Sequence, residues 1–228
     1  MTTGTGLSQI SNADLARHRV TVPNQRDEIY SPLYDSATYT SATTTSISFF
    51  STPIGQGTTT APGGSGPKTY ADTNMTNAGL LPLGNRFYCT GIEFVLYPGI
   101  NPGRGAVADS TAGNFVNDVY ALGKSGVVIM RIQNRDYVVD GPLDKFAPAT
   151  RLGGFAAAST NLTTGAATYS EIGYAAWAGQ LYHIVPVYLE ANQYFTLTVN
   201  WPAAITMPSG QNARLFARLR GRLIRDAQ

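Results

Sequence analysis

The chain has 228 residues, of which 13% are charged, and its formal net charge is only +2. That length allows one large all-β domain or two small ones, and the single cysteine, Cys89, excludes an intrachain disulfide framework or a thiolate metal cluster. The charged fraction is well below the roughly 25% of an ordinary soluble domain, which indicates a surface largely covered by other protein.

The sequence changes in character near residue 67. Residues 1–67 are predicted to form an extended Ser/Thr/Gly-rich N-terminal arm, and residues 68–228 a β-sandwich domain. Residues 36–67 contain no charged side chain, and alone they cannot bury enough apolar area to offset their ordering entropy. Only residues 45–50 have a strand pattern there, so we expect a neighbouring subunit to order the arm. The side chains expected to contact that neighbour are Arg17, Arg19, Ile47, Phe49 and Phe50.

In residues 68–228, strand patterns are separated by turn-rich loops. The predicted strands cover residues 86–97, 126–132, 135–139, 181–189 and 193–201, and a closing strand follows Asn212. Gly91 marks a bulge, and Pro186 places its strand at a sheet edge or bulge. One helix is predicted over 110–122, ended by Gly123. These elements predict an all-β fold, an antiparallel β-sandwich of single jelly-roll type with one short helix and an extended N-terminal arm.

The closing strand carries the strongest functional signal. Residues 214–228 hold five of the sixteen cationic side chains, whereas residues 1–213 are slightly acidic. Alternation with a period of two predicts an apolar face and a cationic face. The apolar face comprises Leu215, Ala217, Leu219, Gly221 and Leu223, and the opposite face comprises Arg214, Phe216, Arg218, Arg220 and Arg222.

Arginine binds carboxylates and phosphates through paired hydrogen bonds and stays charged at any working pH. The closing strand is therefore predicted to form an interaction surface. Its members are Arg214, Arg218, Arg220, Arg222 and Arg225. A neighbouring subunit, nucleic acid or an internal membrane would be its partner, and an ordinary solvated strand face is the plain alternative.

Patterns that carry catalysis are absent from the sequence. The two histidines, His18 and His183, are far apart, and the alternation around His183 predicts a partly buried imidazole. No nucleophile elbow, zinc-protease helix or phosphate-binding loop occurs. We therefore predict no catalytic residue, no cofactor, no metal site and no small-molecule substrate. A pair among the scattered carboxylates, such as Asp136 and Asp140, leaves a sandwich-type hydrolase as an open hypothesis.

Two segments carry a resemblance to a known class of proteins. Phe49–Gly57 and Lys68–Pro82, which runs on into Phe87 and Ile92, are similar to stretches of bacteriophage virion proteins. Together with the polar arm, the strand series and the basic closing strand, the chain resembles the jelly-roll capsid protein of an icosahedral phage, most strongly over residues 45–97. The resemblance implies a subunit that is assembled in the host cytoplasm and resides in the virion, with copies of itself and other virion proteins as partners.

The sequence thus favours a non-enzymatic virion structural protein that packs around a phage genome. The alternative is a carbohydrate-binding or receptor-binding β-sandwich module that uses tyrosines and the two tryptophans, Trp177 and Trp201, as a stacking platform.

Overall fold

A computed structural model describes residues 26–62, 64–98, 112–146 and 182–226. Within these ranges nine β-strands, one α-helix and one 3-10 helix are present. The strands are β1 (Arg26–Ile29), β2 (Leu33–Tyr39), β3 (Ser46–Phe49), β4 (Asn85–Tyr97), β5 (Val127–Ile132), β6 (Arg135–Asp140), β7 (Tyr182–Glu190), β8 (Phe195–Asn200) and β9 (Ala213–Asp226). The helix α1 spans Ala112–Ser125, and the 3-10 helix spans Leu143–Phe146.

The strands form two antiparallel sheets. Sheet A has the order β2–β9–β4–β7, with β1 also paired to β9, and sheet B has the order β3–β8–β5–β6. The pairs are nested, because β5 pairs with β6, β4 with β7, β3 with β8 and β2 with β9. Successive pairs alternate between the two sheets, which is the order of a jelly roll. The predicted fold class is therefore confirmed.

The core lies between the sheets, because alternate residues of each long strand point inward. On β8, Phe195, Leu197 and Val199 are buried while the residues between them are partly exposed. Phe49 of sheet B lies edge-on to Phe94 of sheet A, with ring centroids 5.5 Å apart. These contacts join the two inner faces into one hydrophobic cluster.

The described part of the predicted arm belongs to this sandwich. β2 pairs with β9 along its whole length, and β3 pairs with β8. Ile47, Phe49 and Phe50, predicted to contact a neighbour, are instead buried in the core of their own chain. A boundary at residue 67 does not separate an arm from the sandwich, because strand pairing orders the uncharged sequence before it. Arg17 and Arg19 lie outside the described residues.

Local irregularities of the strands were predicted correctly, whereas the end of the helix was not. The register of β4 against both β9 and β7 shifts between Cys89 and Gly91, and Pro186 lies on β7 at the edge of sheet A. Gly123 does not end α1, which continues to Ser125. A Cβ atom at Gly123 would lie 3.3 Å from the Cβ of Asp144, so glycine there permits close packing on the 3-10 helix.

Candidate interaction surface on strand β9

β9 is an inner strand of sheet A, paired with β4 on one side and with β1 and β2 on the other. Its alternation follows the prediction. Ala213, Leu215, Ala217 and Leu219 are fully buried, and Arg214, Phe216, Arg218 and Arg220 are partly exposed on the outer face. Gly221 lies where the backbone of β4 comes close, since a Cβ there would overlap the carbonyl oxygen of Tyr88. The inner face of β9 therefore serves the core and leaves the arginines outside.

The middle of the cationic face is a charge triad centred on Glu93 of β4. The Nη1 atom of Arg218 donates a hydrogen bond to Oε1 of Glu93 at 2.6 Å, and Nη2 of Arg220 lies 3.0 Å from the same oxygen. Both guanidiniums are mostly covered, and Glu93 is fully buried. Within the described residues, Oε2 of Glu93 has no hydrogen-bond partner. The triad therefore carries one net positive charge under substantial cover.

Arg214 belongs to a second buried polar cluster, formed with the loop between β3 and β4. Its guanidinium donates to Oγ1 of Thr60 at 2.9 Å and to the carbonyl oxygen of Ala71 at 2.6 Å, and it lies 3.4 Å from Oδ1 of Asp72. Burial alone would raise the pKa of Asp72, but hydrogen bonds from Thr59, Thr60 and Thr69 outweigh that effect and hold its pKa well below the usual range. Arg214 thus ties this loop to the outer face of sheet A.

The same loop covers the free edge of β2. Asn74 exchanges backbone and side-chain hydrogen bonds with Tyr34, at 3.2 and 2.9 Å. Lys68 reaches the sandwich interior, where its Nζ lies 2.7 Å from Oδ1 of Asp35 and donates to the carbonyl oxygen of Ser36 at 2.8 Å. Burial raises the pKa of Asp35, although Lys68 opposes the shift. Covering of this kind prevents an edge strand from pairing with another chain.

The last two arginines pair with β1. Nη1 of Arg222 lies 2.9 Å from Oε1 of Glu28, and Nη2 of Arg225 lies 2.7 Å from Oδ2 of Asp27. Their side chains are 63% and 53% exposed. Arg225 follows the alternation of Leu223 rather than that of Arg222, so it lies on the opposite side of the strand from the other four arginines of the predicted surface.

The predicted surface is therefore neutralised largely within its own chain. Every arginine of the predicted set has a carboxylate partner among the described residues. Those carboxylates lie on β1, on β4 and in the loop before β4, between 125 and 198 residues away along the chain. No local pattern in the sequence indicates such partners, whereas the geometry of sheet A brings them together. Arg222 and Arg225 are solvated as well as paired, whereas Arg214, Arg218 and Arg220 are mostly covered.

Aromatic side chains complete the outer face of sheet A. Phe216 stacks on Tyr34 with centroids 5.4 Å apart, and Tyr88 contacts Tyr188 at 4.7 Å. The predicted tryptophan platform does not form as expected, because Trp201 is buried and donates its Nε1 hydrogen bond to the carbonyl oxygen of Leu122. Trp177 lies outside the described residues.

The remaining candidates carry no catalytic arrangement that the structure describes. His183 is exposed rather than partly buried, because it lies on the outer face of an edge strand. Cys89 is buried, and burial raises the pKa of its thiol to about 12. Asp136 is bound by Arg131, while Asp140 accepts hydrogen bonds from Tyr182 and Lys145. The two carboxylates are thus engaged with separate partners.

No protein-family model matches the chain, and it has no significant match among curated proteins or solved structures. Among the residues described, no group of three or more His, Cys, Asp or Glu side chains is placed to hold a metal ion. In the same part of the chain, no helix is long and apolar enough to cross a membrane.

Proposed function

We propose that this chain is a non-enzymatic structural subunit of a virion, a single jelly-roll capsid protein of an icosahedral bacteriophage. It assembles with copies of itself and with other shell proteins around a genome. The observation that carries the proposal is the difference between the two outer faces of the sandwich. Sheet A satisfies its arginines inside the chain, whereas sheet B presents a weakly charged surface. The resemblance of residues 45–97 to phage virion proteins supports the same function.

The outer face of sheet B has side chains suited to contact with protein. Its β3 and β8 strands present Ser46, Ser48, Thr196, Thr198 and Asn200, and β5 and β6 add Val127, Ile129 and Val139. Two charged residues of this face, Arg131 and Asp136, pair with each other at 2.6 Å. Because small uncharged side chains can be removed from water without stripping a charge of its hydration, this face favours burial against another subunit.

The side of the sandwich formed by β6 and β7 adds a second feature. Among the described strands, each of these two pairs on one side only. Val139 on β6 is 62% exposed and Val185 on β7 is 85% exposed. Unpaired backbone groups beside exposed apolar side chains form a template for association with another chain. On the opposite side, β2 is covered by its own loop and the edge strand β3 is only four residues long, so we expect association to be directed to the β6–β7 side.

The test is assembly of the purified chain, followed by light scattering and negative-stain microscopy. We expect large assemblies from the unaltered chain and their loss in a V139K/V185K variant. The matched control is L83K, because Leu83 is also apolar and is 91% exposed but lies in the loop before β4. Circular dichroism establishes that the variants are folded. A chain that stays monomeric at high concentration, or a control that fails as completely as the double variant, contradicts the proposal.

One observation favours the alternative, a carbohydrate-binding module. Tyr88 and Tyr188 lie beside Arg86 and Glu190, which pair at 2.6 Å on the same face of sheet A. An aromatic pair next to a charged donor and acceptor suits a sugar ring. Retention on glycan beads that is lost in Y188A and kept in Y97A would favour this function, whereas equal retention of both variants, or none at all, would exclude it.

A further inference from the structure

β1 is attached to the sandwich far more weakly than the other strands of sheet A. It contains four residues, and none of its described side chains, those of Asp27, Glu28 and Ile29, belongs to the buried core. Its contact with the domain is a short ladder against residues 223–226 of β9. Because elements with few buried apolar contacts open locally at low free energy, β1 is the strand expected to detach first.

The side chains that hold β1 are charged and specific. Asp27 pairs with Arg225, Glu28 pairs with Arg222, and the hydroxyl of Tyr30 accepts a hydrogen bond from Arg220. The Glu28–Arg222 pair and the guanidinium of Arg225 are substantially exposed, so water and salt screen these contacts. They therefore contribute more to the choice of pairing partner than to the free energy that holds β1 in place. The end of β9 is therefore expected to pair preferentially with a strand that has acidic residues in this order.

The chain between β1 and β2 is placed to act as a hinge. β2 is firmly held, since Leu33 and Tyr39 are buried and Nδ2 of Asn74 donates to the carbonyl oxygen of Pro32 at 2.9 Å. Only Tyr30 and Ser31 separate this fixed point from β1. If the backbone rotates at these two residues, β1 separates from β9 along its whole length while the core stays intact.

From these observations we infer that β1 exchanges between copies, so that β1 of one subunit pairs with the end of β9 of a second copy in the register seen within one chain. The exchanged strand recovers every ladder bond and ion pair that it leaves, which makes exchange nearly neutral in contacts. Tethering favours the chain's own β1 in dilute solution, and exchange prevails only when other surfaces hold two copies together. The inference therefore rests on the self-assembly proposed above.

Variants with one added cysteine test the exchange directly. Asp27 and Arg225 are Cα partners in an antiparallel pair, and such partners lie about 4.5–5.5 Å apart, within the range of a disulfide. Full-length D27C and R225C chains are mixed, assembled and oxidised; the buried Cys89 can stay. We expect a D27C–R225C disulfide between chains in the assembled fraction, at several times its yield in the monomeric fraction.

The control is a mixture of V95C and F216C chains, which are Cα partners in the β4–β9 pair. These two strands are central in sheet A, away from the proposed contact through sheet B, so no crosslink between chains is expected. A double D27C/R225C chain reports on pairing within one molecule. Assemblies that contain only the intrachain disulfide overturn the exchange and leave the capsid proposal standing. A chain that never assembles and never crosslinks between molecules contradicts both.

Discussion

At the scale of residues, Glu93 decides the electrostatics of the outer face. Its Oε1 is bound by two guanidiniums, and within the described residues its Oε2 has no partner, although the side chain is fully buried. A buried carboxylate is tolerated only while cations compensate for its lost hydration. Arg218 and Arg220 depend on the same carboxylate, since both are largely covered.

Replacing Glu93 with Gln should destabilise the fold by roughly 2–4 kcal/mol, because it leaves two covered guanidiniums without a negative partner. Urea unfolding at neutral pH measures the effect. The matched control is E190Q, since Glu190 pairs with Arg86 on the same sheet but is substantially exposed, and its loss should cost less than about 1 kcal/mol. Equal losses in the two variants would contradict the central role of Glu93.

Asp72 predicts how stability depends on pH. Its pKa is lowered in the folded chain, so the unfolded carboxyl binds more protons at moderate acidity. Its contribution is fully present well above the unfolded value, near 3.8, begins to be lost as the pH falls through that value, and disappears only below the lowered pKa of the folded state. We expect the free energy of unfolding to drop between about pH 5 and pH 3 and the drop to be smaller in D72N. Parallel profiles from urea titrations of the two chains would show that another group is responsible.

At the scale of elements, the sequence predicts strands well where alternation is clean and fails where polar residues face inward. β9 follows its predicted alternation because each inward residue from Ala213 to Leu219 is apolar. β2 is not predicted, since its inward positions include Asp35, whose burial depends on Lys68 from a distant loop. The carboxylates that neutralise the arginines are hidden from the sequence for the same reason, because they are near only in the folded chain.

We predict that the chain between the 3-10 helix and β7 can be shortened, because the two elements are in contact where it leaves one and enters the other. Phe146 and Tyr182 border residues 147–181, and their rings lie 4.1 Å apart. Tyr182 also donates a hydrogen bond to Oδ2 of Asp140 at 2.5 Å. Because the two ends are already adjacent, replacing residues 148–180 by a Gly/Ser linker of about six residues should retain the fold.

Thermal unfolding followed by circular dichroism checks this prediction, and a midpoint within a few degrees of the full chain is expected. The same deletion combined with D140N, which weakens the contact between the two ends, serves as the control and should unfold at a lower temperature. Insoluble or unfolded protein from the simple deletion would contradict the prediction.

At the scale of the whole molecule, the outer faces of the two sheets differ in how they use charge. Sheet A uses opposite charges to close the chain on itself, and sheet B leaves a weakly charged surface toward solvent. The overall charge of +2 is thus a poor guide to the interactions of the protein, since each arginine of the predicted surface is paired with a carboxylate of its own chain. Composition predicts the low charge of the surface, but only the fold shows on which face the uncharged residues lie.

Self-association through sheet B should persist as salt is raised from about 0.1 to about 1 M, because screening weakens charged contacts and leaves apolar ones intact. Light scattering across a sodium chloride series measures it. Capture of single-stranded nucleic acid through the arginines would instead weaken steeply over the same range. Dissociation of the assemblies with a steep dependence on salt would therefore contradict contact through sheet B.

The Glu93 triad has one more consequence, for how faithfully the chain folds. Moving β4 by one residue along β9 would turn Glu93 toward the apolar interior and set Arg218 against residues of the inner face, since neighbouring strand residues point in opposite directions. Such a misaligned pairing would bury charge without compensation and would be rejected during folding. The two arginines and their shared carboxylate thus help to fix the register in which β4 pairs with β9.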